Sequence, residues 1–170
     1  MGRHRKKLIF LLGFMGCGKT TAGALLAKAL GWPFIDLDAT IEAGQGHTIR
    51  QIFEQAGEPF FRELEHAALS EASRKEPAVI ALGGGTFVQR PNFDLIRDGG
   101  GVTVWLDCNL QELQQRCQTM ANRPLFRDPE QFLQLYQQRL PFYRMADYRV
   151  AVDGLEPRQV VEQILRLRIF

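Results

Sequence analysis

The sequence predicts an α/β domain built on a mostly parallel sheet, and three observations carry that expectation. Turn residues fall between apolar runs at intervals that alternate strand-like and helix-like segments. The runs at 7–12, 33–36, 79–82, 102–106 and 148–152 are short, and several are rich in Val, Ile, Leu or Phe, as strands buried on both faces should be. The first of them opens into a glycine-rich loop and then directly into a helical pattern. With 170 residues and no internal repeat or low-complexity stretch, the chain suits one domain over 1–170 around a single core.

The helices between these strands have readable ends. The first spans 19–30 and stops at Gly31, where glycine favours a left-handed cap. Thr48 can cap a second helix that ends at Gly57, and Pro59 suits the first turn of a third running to about residue 74. Further helices are expected over 91–97, 110–118, 129–145 and 156–167. The stretch 119–128 has no clean periodicity, carries two arginines and lies between two helices, which suits either a mobile lid or a plain loop.

Composition excludes several classes. Hydrophobic residues make up 45 % and charged residues 24 %, with a net charge of +2, too small to call for nucleic acid as a partner. The apolar stretch 8–14 is far shorter than the ~20 residues of a membrane span and runs into a glycine loop rather than a cleavage site, so a cytoplasmic protein is expected. Cys17, Cys108 and Cys117 are odd in number and form no Cys-x-x-Cys pair, which suggests neither a disulfide framework nor a zinc site.

The run Gly13-Phe14-Met15-Gly16-Cys17-Gly18-Lys19-Thr20 fits G-x-x-x-x-G-K-[ST] between the first strand and the first helix. Glycines permit a tight loop whose N–H groups converge on phosphate oxygens, and the helix N-terminus adds about half a positive charge. Lys19 then reaches the β and γ phosphates and the Thr20 hydroxyl ligates Mg²⁺. ATP is therefore expected along Gly13, Met15, Gly16, Cys17, Gly18, Lys19, Thr20 and Thr21.

Asp36 and Asp38 flank Leu37 at the end of the second strand. If strand geometry persists, their side chains share one face with Cα atoms about 6.6 Å apart. One can hold the metal's waters while the other faces an acceptor hydroxyl, although an acidic strand end that merely caps the next helix has the same sequence. Gly83-Gly84-Gly85 follows the third strand, where open parallel sheets place their ligand crevice. Arg62 and Glu65 stand three apart on one helix and can touch. Arg116, Arg123 and Arg139 are left open on spacing alone, since an isolated arginine is usually a solvated residue.

The phrases GFMGCGKT, FIDLD, IFEQAGEPFFRELE, ALGGGT, NRPLF and QQRLPFYRMAD, in this order across nearly the whole chain, resemble the shikimate kinases. That resemblance implies a three-layer P-loop fold with five parallel strands in the order 2-3-1-4-5, flanked by helices and closed by a lid over about 119–128. It implies transfer of the γ-phosphoryl of ATP to the 3-hydroxyl of shikimate with Mg²⁺, by a cytoplasmic enzyme acting as a monomer. By the same resemblance, Lys19, Asp38 and Arg123 are catalytic, with Asp38 on the acceptor hydroxyl and Arg123 the lid arginine. Asp36 joins Thr20 at the metal. Arg62 and Arg139 grip the shikimate carboxylate, with Glu65 orienting Arg62. Gly83, Gly84 and Gly85 approach the substrate through their backbone, and Phe53 and Phe61 wall the pocket. Arg116 and the turn around Pro157 border adenine.

Two alternatives remain at this level: a kinase of another small hydroxy acid, such as gluconate, and an ATP-binding regulatory module without catalysis. Cys17 stands where the family often has serine, and a thiol beside a helix N-terminus is an expected alkylation target whose modification blocks ATP. Met15 occupies a loop position from which a flexible thioether could reach the substrate.

Overall fold

The computed structural model describes residues 7–118 and 128–170. Five strands form one sheet: β1 (Leu8–Leu12), β2 (Phe34–Asp36), β3 (Ala78–Ala81), β4 (Val102–Asp107) and β5 (Tyr148–Ala151). Their order across the sheet is β2-β3-β1-β4-β5, and every pairing is parallel. Seven helices flank it: α1 (Lys19–Leu30), α2 (Leu37–Gln45), α3 (Ile49–Ala72), α4 (Arg90–Gly99), α5 (Leu110–Gln118), α6 (Pro129–Tyr143) and α7 (Pro157–Arg166).

The central strand explains the layering. All five residues of β1 are buried, so both faces need covering, and parallel crossovers supply a helix with each strand. Residues from the sheet and the flanking helices, among them Phe10, Leu26, Leu69, Ile80, Val104, Tyr143 and Ile164, close one main core. A smaller cluster of Ile41, Ile52 and Phe61 lies between α2 and α3.

Register sets the level at which the strands end. Asp36 pairs with Ala81, Ala81 with Leu11, and Leu11 with Val104. At about 4.8 Å per strand, the ends of β2, β3 and β1 lie side by side within roughly 10 Å. The loops after these three strands therefore open on one edge of the sheet, where such folds hold ligands.

Two local expectations are corrected. Asp36 and Asp38 do not share a strand face: Asp36 ends β2 and caps α2, its Oδ1 accepting from Ala39 N at 3.1 Å, while Asp38 lies in the first helical turn. Helix α2 was not anticipated, although Leu37 and Ile41 are buried four apart and Gly46 takes the left-handed cap at φ 67°. Asp128, the last residue of the expected lid segment, is extended and is the N-cap of α6, accepting from the N–H of Glu130 and Gln131. The rest of the expected lid, with Arg123, lies outside the described residues.

The predicted division of α3 holds. Gly57 adopts φ 82° and ψ 170°, which no helix contains, so two helical segments meet at a kink just before Pro59. Thr48 caps the first with a capping box shared with Gln51.

Candidate active site

The loop after β1 takes its shape from glycine. Gly13, Gly16 and Gly18 have φ of 148°, 85° and 93°, values that side-chain-bearing residues rarely adopt. Gly18 is the N-cap of α1 and carries no side-chain cap, so the helix presents its first N–H groups to the loop. Lys19 folds over this ring, with Nζ donating to the carbonyls of Gly13 at 2.7 Å and Phe14 at 3.2 Å, and lying 3.8 Å from Cys17 Sγ. Cys17 and Met15 are buried, while Thr20 and Thr21 face outward.

A cleft of about 180 Å³ joins this loop to the ends of β2 and β3. Met15, Lys19, Thr20, Asp36, Asp38, Gly83 and Gly84 are among the residues that line it. Thr20 Oγ1 donates to Asp36 Oδ2 at 2.7 Å, which sets two hard oxygen donors side by side at the mouth of the phosphate loop. That donor set fits Mg²⁺, which takes oxygen ligands and keeps several of its waters.

Charged side chains crowd the three glycines after β3. A Cβ on Gly83 would stand 2.8 Å from Asp38 Oδ1. On Gly84 it would stand 2.8 Å from Arg139 Nη1 and 3.7 Å from Met15 N, and on Gly85 it would meet Arg62 Nη2 at 2.8 Å and Arg139 Nη2 at 3.1 Å. Two guanidinium groups from α3 and α6 thus converge on one turn, beside the phosphate loop.

The two arginines are held differently. Arg62 Nη1 donates to Glu65 Oε1 at 2.8 Å, its Nη2 lies 3.3 Å from the exposed Glu58 carboxylate, and its guanidinium stands 5.3 Å from the centre of the Phe61 ring. Arg139 rests over Phe14 at 5.5 Å, and its buried Nη1 has no hydrogen-bond partner among the described residues. Burial lowers the Arg139 guanidinium from its ordinary value, an effect that Tyr143 opposes and nearby Arg62 reinforces. A like-charged pair with one unmet donor is a site for an anion.

Phe53 and Phe61 pack at 4.8 Å between ring centroids in the small cluster under α2. At the far side of the loop, Arg116 donates to Gly16 O at 3.1 Å and to Glu112 Oε1 at 2.5 Å. The other oxygen of Glu112 accepts from Gly154 N at 3.3 Å, three residues before Pro157, which opens α7. Cys108 lies beside this ion pair, and its thiol is pushed up to about 12, first by burial and then by Glu112.

Sequence reasoning missed four contributors. Phe14 supports Arg139, Thr86 and Asn92 support Glu65, and Tyr143 bonds Gly84. Phe14, Thr86 and Tyr143 lie within the phrases quoted above and only Asn92 lies outside them, but the role of each comes from tertiary contact that the phrases do not reveal.

The family model for shikimate kinase matches residues 15–168. The chain belongs to the shikimate kinase family. Among its relatives, shikimate kinase of Sulfurihydrogenibium sp. is 41 % identical over 160 residues, covering 94 % of this chain and 96 % of the relative. Shikimate kinase from Acinetobacter baumannii, solved in complex with shikimate, superposes with a TM-score of 0.89 at 36 % identity, covering 95 % of this chain and 92 % of that one. The Aquifex aeolicus shikimate kinase gives a TM-score of 0.84 at 35 % identity, with 94 % of each chain covered. As a shikimate kinase the chain is an ATP-dependent phosphotransferase, and among its described residues no helix is long and apolar enough to cross a membrane.

Proposed function

We propose that this shikimate kinase phosphorylates the 3-hydroxyl of shikimate, a step toward chorismate and the aromatic amino acids, by the following division of labour. The observation that carries the reading is the meeting of Arg62 and Arg139 at Gly85, next to Gly83 and Gly84, which line the cleft together with Asp38 and the phosphate loop. A fork of two guanidinium groups selects a carboxylate in preference to a neutral sugar or nucleobase, which favours shikimate over uncharged acceptors.

The backbone of Gly13 to Thr21 would cradle the ATP phosphates, with Lys19 exchanging its bonds to Gly13 and Phe14 for phosphate oxygens. Thr20 and Asp36 would hold Mg²⁺, the latter through water; bound there, the ion neutralises charge on the phosphates. Arg62, kept in place by Glu65, and Arg139 would fix the acid, while Phe53 and Phe61 wall its ring. Asp38, one residue into α2 and against Gly83, would accept the hydrogen bond of the attacking hydroxyl and take its proton. Arg116 and the start of α7 at Pro157 would border adenine.

Arg123 keeps the role that the family resemblance gives it, on a lid over the phosphates, and exclusion of water would favour shikimate over hydrolysis. One chain supplies every side chain of this reading, which suits a monomer of one domain, and a cytoplasmic location follows the family resemblance. The test is ADP release by purified protein with Mg-ATP and shikimate, alongside Asp38→Asn. Wild type turns over and the variant loses kcat by 100-fold or more, on the order of a general base's contribution. Turnover with gluconate but not shikimate would overturn the acceptor.

A further inference from the structure

The Tyr143 hydroxyl joins α6 to the glycine turn on which Arg62 and Arg139 converge. Tyr143 follows Arg139 by one turn of α6, so the two side chains lie on the same helix face. Its ring is buried against Trp105, with centroids 6.2 Å apart. The hydroxyl donates to the Gly84 carbonyl at 2.5 Å and lies beside the Arg139 side chain, whose charged form it favours. That bond ties α6 to the glycine turn one helical turn from Arg139, and the phenol oxygen keeps lone-pair capacity toward the guanidinium.

The bond bears on a second group. Arg139, one turn earlier on the same helix, has its Nη1 against Gly84, where it has no partner among the described residues. Burial raises the Tyr143 hydroxyl far above its ordinary value, so it stays a neutral donor throughout the pH range in which a kinase is assayed.

We propose that Tyr143 is a positioning residue, a pin between α6 and the Gly83–Gly85 turn that sets the Arg139 guanidinium for the carboxylate of the acceptor. The inference rests on the reading of Arg139 given above. It goes further in assigning the geometry of that arginine to a tyrosine that touches no substrate. Phenylalanine fills the same volume but leaves the Gly84 carbonyl unbonded and the guanidinium free to rotate.

Tyr143→Phe, measured in the full chain, should raise the KM for shikimate about tenfold, the size expected for one lost buried hydrogen bond. The KM for ATP should stay within about twofold, since nothing at the phosphate loop changes. A merely structural role would lower Tm and the active fraction, and so kcat, while leaving both KM values alone. An unchanged KM for shikimate in Tyr143→Phe therefore overturns the proposal, as does an equal rise in both KM values.

A second measurement separates this from the substrate assignment. In ¹⁵N spectra of wild type, with Arg139→Lys identifying the signals, the Nη groups of Arg139 should be resolved by slow rotation, and Tyr143→Phe should merge them. Resolved signals in both proteins overturn the pin. Absence of shikimate-dependent ADP release in wild type would instead sink the substrate assignment, and the spectra would still decide the role of Tyr143.

Discussion

Thr86 Oγ1 donates to Glu65 Oε2 at 2.7 Å in a region closed to water, the two residues being 0 % and 1 % exposed. Because the other carboxylate oxygen accepts from Arg62, the threonine hydroxyl settles which way Glu65 faces and so where Arg62 can reach. Asn92 fixes the threonine in turn, donating to its carbonyl at 3.0 Å, while its own Oδ1 lies 2.7 Å from His66 Nδ1. A buried carboxylate is tolerated only when its lone pairs are met, and here each oxygen has one donor.

Thr86→Val keeps the shape and removes the donor. It should cost about 1–3 kcal/mol of stability for the unsatisfied oxygen and raise the KM for shikimate several-fold as Arg62 loses its fixed partner. Thr86→Ser should recover most of both. Urea unfolding and steady-state kinetics on the three proteins check this, and a valine variant with unaltered stability would contradict it.

The sheet order and the phosphate loop were legible because both are written locally, in apolar runs and in glycines. The arginines were legible through the family phrases and, for Arg62, its spacing from Glu65, but not from local pattern alone. Arg139 carries no signature of its own, and only the crossing of α6 behind the glycine turn brings it within reach of Gly85. Asp38 was misread for a different reason: FIDLD alternates as a strand does, but the Asp36 side chain satisfies the N–H of Ala39, and that cap turns the chain into α2 two residues early. Thr86 and Tyr143 could not be singled out, because a hydroxyl acquires its role only from the carboxylate or carbonyl opposite it.

Asp36 has two separable duties, as cap of α2 and as partner of Thr20 at the metal position. Asparagine caps as well as aspartate but lacks the charge. Asp36→Asn should therefore leave Tm nearly unchanged while raising the Mg²⁺ concentration for half-maximal activity about tenfold or more. Asp36→Ala should add a loss of about 1 kcal/mol in stability. Activity of the wild type should vanish in excess chelator; a Mg²⁺ requirement identical in wild type and Asp36→Asn would show that the metal is held elsewhere.

Gly85 and Gly13 are both crowded, but by different things. A methyl at Gly85 meets only the ends of two flexible side chains, whereas at Gly13 it meets the Leu106 carbonyl at 2.7 Å, in a backbone at φ 148°. Gly85→Ala should fold normally and lose shikimate affinity by about tenfold or more as Arg62 and Arg139 are pushed aside. Gly13→Ala should lose stability by roughly 1–3 kcal/mol through backbone strain. Thermal melts beside KM measurements distinguish them, and a Gly85→Ala enzyme with normal shikimate KM would contradict the proposed carboxylate site.

The expected alkylation of Cys17 meets an obstacle, since Cys17 is 3 % exposed and its sulfur faces Lys19 and the interior of the loop. Reagent can reach it only when the loop opens, so labelling at pH 8 should be slow and should rise with mild denaturant. Cys108, with its thiol near 12, has on the order of one thiolate in 10⁴ at that pH and should stay unlabelled in the folded protein. Its raised value also favours the fold below about pH 9, the ordinary thiol range; that contribution falls as pH climbs from there towards 12 and the unfolded chain ionises first. Mass spectrometry of peptides should show Cys17 modified ahead of Cys108, with ATP binding lost in proportion to the labelled fraction, because the adduct fills the space into which Lys19 and the phosphates must fit. Full ATP binding after complete labelling of Cys17 would show that the loop accommodates the adduct.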